Sequence, residues 1–80
     1  MMRREKKLRL IVSFHTTAEA FQLEAAARSK GLSGRLIPVP REITAGCGLA
    51  WRDEPECEER LRALLAQESI GYEAICVLTL

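Results

Sequence analysis

Close ligand pairs are missing from this sequence. Its three cysteines, Cys47, Cys57 and Cys76, form no CxxC motif, and its one histidine, His15, lies far from all of them in the chain. Metal-site spacing is therefore absent, so no metal is expected, and an odd number of cysteines argues against a disulfide framework. No cofactor is expected either, since "GLSG" lacks the Lys and Ser/Thr that follow the glycines of a phosphate loop. No apolar run approaches the roughly 20 residues that span a bilayer, so a membrane partner is excluded. The start, "MMRREKKLRLIVSF", has basic residues followed by an apolar patch. That patch is short and runs into His15, Thr16 and Thr17 with no cleavage site, which reads as a cytoplasmic chain.

What is present fits one small folded unit. The chain has 80 residues, 48% hydrophobic and 29% charged, the composition of a soluble globular domain covering 1–80. Arg3, Arg4, Lys6, Lys7 and Arg9 stand against Glu5 alone, making 1–7 a basic start that is expected to fray. No aromatic residues are interleaved with these charges and no recognition-helix pattern follows, so nucleic acid is not an expected partner.

Alternation of Leu8, Leu10, Val12 and Phe14 with Arg9, Ile11 and Ser13 predicts a strand over 8–14. Thr16 and Glu19 make a capping box, and the helix formers after them predict a helix that Gly31 ends, in which Ala18, Phe21, Ala25 and Arg28 follow helical spacing beside Leu23 and Ala27, with Phe21 anchoring the buried stripe. "RLIPVP" over 35–40 reads as an edge strand, because Pro38 and Pro40 cannot donate to a ladder. "GLAWR" over 48–52 reads as a short central strand with Leu49 and Trp51 on one face. Asp53 with Glu56, and Pro55 in the first turn, predict a second helix carrying Cys57, Leu61, Leu64 and Leu65 on its apolar stripe as far as Gly71. "YEAICVLTL" closes as a strand covered on both faces. The order βαββαβ, with short connections and right-handed crossovers, predicts an α+β ferredoxin-like sandwich with sheet order 4-1-3-2 and both helices on one face. The other face is left open, and apolar residues there, such as Ile11, would favour a homodimer or a docking surface.

Among the thiols, Cys57 and Cys76 read as small buried hydrophobes. Cys47 differs, because Gly46 and Gly48 flank it and leave its backbone accessible. The predicted topology puts its loop at the same end of the sheet as His15, Thr16 and the N-terminus of the first helix. The helix dipole there, with Arg41 or His15 if they point inward, would favour the thiolate that attacks sulfur and other electrophiles. The alternative is that "AGCG" is a turn with a small residue in it. No Ser/His/Asp or Cys/His/Asn set can be read from spacing, and no second catalytic residue emerges.

Three stretches, "VSFHTTAEAFQLE", "GLSGRLIPVPREI" and "CGLAWR", together resemble a small bacterial family described as selenium/sulfur carrier-like proteins. The match covers almost the whole chain, and its most specific part is the Pro-Val-Pro-Arg run followed by Cys-Gly-Leu-Ala. Where members often carry serine before the cysteine, Ala45 and Gly46 stand here. The resemblance implies a cysteine that bears sulfur or selenium as a persulfide or selenopersulfide, with donor and acceptor proteins as partners. On this chain that role maps to Cys47. A carrier or binding module is favoured over a stand-alone enzyme. The alternative is a regulatory or interaction module that self-associates through the open sheet face, with Cys47 incidental. A redox sensor is weakened by the lack of a nearby resolving cysteine.

Overall fold

The computed structural model describes residues 7–43 and 46–80. Strand β1, Leu8–Ser13, comes from the alternation of "LRLIVS" and sends Leu10 and Val12 into the main core. Helix α1, Thr17–Ser29, starts at a complete capping box. The Glu19 N–H donates to Thr16 Oγ1 at 3.2 Å and the Thr16 N–H to Glu19 Oε1 at 3.2 Å. Beyond its end, Gly31 takes a left-handed φ of +74° that side chains resist. There follow β2, Arg35–Pro38, β3, Leu49–Asp53, a 3-10 turn at Pro55–Cys57, α2, Glu58–Gln67, and β4, Ala74–Thr79.

Among the described residues the sheet runs β2-β3-β1-β4, with every neighbouring pair antiparallel. This is 4-1-3-2 read from the other edge, the order expected of a ferredoxin-like α+β sandwich. Strand β3 is central, and β2 forms an edge with Pro38 opposite Leu49. The core packs Leu10, Val12, Phe14 and Trp51 of the sheet layer against Leu23, Ala20 and Ala27 of α1 and Leu61, Leu64 and Leu65 of α2. Burying a side chain such as Leu23 or Leu61 contributes about 1.5–3 kcal/mol, so this single layer holds the domain together.

Several sequence expectations are corrected. Phe21 is 55% exposed, and the buried row of α1 is Ala20, Leu23 and Ala27. Both rows have helical spacing, and the small alanines let the helix lie close to the sheet, where a phenylalanine would hold it off. Asp53 caps no helix. It ends β3, 4% exposed, and its carboxylate accepts from Trp51 Nε1 at 3.2 Å and from the Glu54 N–H at 2.9 Å. Cys57 consequently sits in the 3-10 turn before α2 rather than on the helix stripe. Ile11 lies on the face away from the helices, yet it is fully buried, as is Ala50, so neither is an exposed anchor. Strand β4 is less covered than expected, because its edge position leaves Val77 43% exposed. The basic residues before Lys7 lie outside the described residues. No helix among those described is long and apolar enough to cross a membrane.

Candidate functional site

The hairpin of β2 and β3 extends one step past the sheet, where the Val39 N–H donates to the Gly48 carbonyl at 2.9 Å. A turn follows in which the Ile43 N–H donates to Pro40 O at 3.0 Å, and it leaves Arg41 exposed. The chain returns through Gly46, Cys47 and Gly48. Gly48 has φ +77°, a conformation glycine adopts without the Cβ penalty. Gly46 packs on the strand-to-helix junction, where a Cβ would sit 3.4 Å from the His15 carbonyl oxygen. The loop therefore shares its end of the sheet with His15, Thr16 and the start of α1.

Cys47 is half-buried and packs against the margin of the core. Its sulfur faces the backbone of Leu49, whose N–H donates to Sγ at 3.4 Å, while the thiol donates to the Leu49 carbonyl at 3.4 Å.

The supporting residues divide. Thr16 spends its hydroxyl on the capping box. His15 is exposed and turns Nδ1 toward Glu19 Oε1 at 3.5 Å. The same carboxylate oxygen also accepts from the His15 N–H at 2.8 Å. The N–H groups of His15 and Thr16 are thus taken by Glu19, and the one that reaches the Cys47 sulfur belongs to Leu49. No salt bridge joins Arg41 to another described residue. Reasoning from sequence missed Leu49 because a backbone donor leaves no residue-type signal. It credited Glu19 with a cap without seeing that the cap takes the N–H groups of His15, Thr16 and Glu19.

The other two thiols are held in their neutral forms. Burial, joined by the charge of Asp53 and a hydrogen bond to it, pushes the Cys57 thiol up, and burial pushes up that of Cys76. All three cysteines are free, and no cluster of metal-ligating side chains occurs among the described residues.

The family model described as "Putative Se/S carrier protein-like" matches residues 9–77, a span that includes the β2–β3 loop and its thiol. The chain belongs to this family. No curated protein and no solved structure matches it significantly. That description points to a carrier of selenium or sulfur, a role that involves partner proteins only in general terms.

Proposed function

We propose that this member of the Se/S carrier-like family bears its cargo on Cys47. The Cys47 thiolate attacks the terminal sulfur of a donor protein's persulfide. One sulfur–sulfur bond forms as the donor's breaks, and the donor thiolate leaves with the electron pair. An acceptor thiolate then takes the outer sulfur by the same displacement and returns Cys47 to its starting form. The exchange consumes no oxidant or reductant, and selenium follows the same path.

The observation that supports this most is the setting of the sulfur. It lies between two glycines at the shoulder of a hairpin, with a backbone N–H aimed at it, while the other two thiols are pushed up by burial. The test is mass spectrometry of the intact protein after incubation with a cysteine desulfurase and free cysteine. Gain of one sulfur atom, lost in Cys47→Ser and kept in Cys57→Ser and Cys76→Ser, supports carriage by Cys47. A gain that survives Cys47→Ser assigns the cargo elsewhere. Self-association through the open sheet face is the weaker reading, because that face sets Arg35 directly opposite Arg52 and a second copy would bring more arginines against them.

A further inference from the structure

The sheet face turned away from the helices carries an unusual register. Arg35 of β2 pairs directly with Arg52 of β3, and Arg52 pairs in turn with Ile11 of β1. Residues paired in this way send their side chains to the same face. This places two guanidiniums side by side on one face of the sheet. Arg9 adds a third guanidinium beside them. Its Nη1 is held by Glu54 at 2.7 and 3.1 Å, and its Nε is buried without a hydrogen-bond partner. Arg9, Arg35 and Arg52 line one groove of about 530 Å³.

The rest of that groove is apolar. Leu80 contributes to its lining, as do Ile37, Pro38 and Pro40 of the β2 segment. It is partly open to solvent, unlike the enclosed clefts that surround most of a small ligand. Strand addition at β2 does not explain it, since Pro38 blunts that edge and the arginines project from the face. Cationic side chains at one part and apolar ones at the other match an extended chain with acidic and then apolar residues. We propose that this face docks an acidic, apolar-tipped segment of a partner protein. Its carboxylates lie over Arg9, Arg35 and Arg52, and its apolar residues lie over Ile37, Pro38 and Pro40. The binding does not depend on whether Cys47 carries a cargo.

The probe is a fluorescein-labelled peptide with an acidic half, Glu-Asp-Glu, and an apolar half, Leu-Val-Leu, followed by fluorescence anisotropy. Binding is expected at low salt and weakens about tenfold or more at high salt, because exposed charge pairs are screened. Arg35→Glu weakens it about tenfold, and Ile37→Ala several-fold, while Arg60→Glu on α2 and Cys47→Ser bind as the parent does. Circular dichroism checks that each variant is folded, and Arg35→Gln gives a milder second substitution at the same exposed position. Equal binding by Arg35→Glu, or equal binding of a peptide whose acidic half is replaced by Lys-Arg-Lys, overturns the proposal. If inorganic phosphate displaces the peptide and Ile37→Ala has no effect, the arginines form a small-anion site and the assignment to a protein segment is wrong.

Discussion

Gly48 offers a test in which two substitutions of the same size act in opposite directions. Its φ is +77°, and a Cβ built on it meets nothing within 4 Å, so any cost of a side chain comes from the backbone rather than from collision. An L-residue in the left-handed region loses about 1–2 kcal/mol. Replacing glycine also restricts the unfolded chain, which returns about 0.4–1 kcal/mol. Gly48→Ala is therefore expected to destabilise by roughly 0.5–1.5 kcal/mol. At about 4–8 °C per kcal/mol for a domain of this size, Tm falls by roughly 2–12 °C. D-alanine at the same position, introduced by chemical synthesis, has the mirror-image preference and keeps only the gain, so Tm rises by roughly 2–8 °C. The single tryptophan, Trp51, is 2% exposed and reports unfolding by its fluorescence. A second readout is alkylation of Cys47. The D-alanine variant, which preserves the Leu49 N–H contact to sulfur, keeps the parent rate, and the L-alanine variant changes it. Shifts of the same sign for the two enantiomers would refute the reasoning, since they would show that φ at Gly48 does not set the stability of this shoulder.

Gly34→Ala is expected to cost about 1–3 kcal/mol, because its Cβ would overlap the Arg52 carbonyl oxygen and approach Trp51 Nε1 and Asp53 Cγ; a melt unchanged from the parent would refute the close packing. Arg35→Glu turns a like-charge pair into an attractive one and raises Tm by a few degrees at low salt, with a smaller rise at high salt; a fall in Tm would argue against the paired register. Cys57 and Cys76 have thiols raised in the fold, so the unfolded chain ionises first as pH climbs past about 8.5. The stability they contribute is whole below that value and is lost as pH rises through their folded values, so urea midpoints fall in alkali and fall less steeply in Cys57→Ala and Cys76→Ala. In the folded protein at neutral pH, iodoacetamide labels Cys47 ahead of both, as read by mass spectrometry, and equal slow labelling of all three would remove the physical basis for carriage.

The strand order was legible because each strand carried its own signal. Alternation marked β1, the prolines marked β2 as an edge, and short connections left few topologies open. Packing choices between equally periodic rows were not legible. Phe21 and Leu23 both lie on helical stripes, and what decided between them was how closely α1 approaches the sheet, a property of the alanines beside Leu23 rather than of either large residue. Asp53 shows the same limit. Its spacing to Glu56 fits a cap, yet the indole of Trp51 claims its carboxylate once β3 forms, and a cross-residue hydrogen bond of that kind has no pattern in the chain.

The thiol and the arginine row are joined by strand β2 and the loop that follows it. Pro40, which lines the groove, is followed directly by the turn at Arg41 and then by the return to Gly46 and Cys47. A segment docked on Arg9, Arg35 and Arg52 with its apolar end over Pro40 would therefore finish beside the loop that presents the sulfur. The two proposals can be separated experimentally. Arg35→Glu should leave Cys47 labelling by a small reagent unchanged and slow only transfer from or to a protein partner. Cys47→Ser should abolish the mass gain and leave peptide binding intact. If Arg35→Glu slows the small reagent as much as the protein reaction, the arginines act on the thiol itself rather than on a docked chain, and the face is not a docking surface.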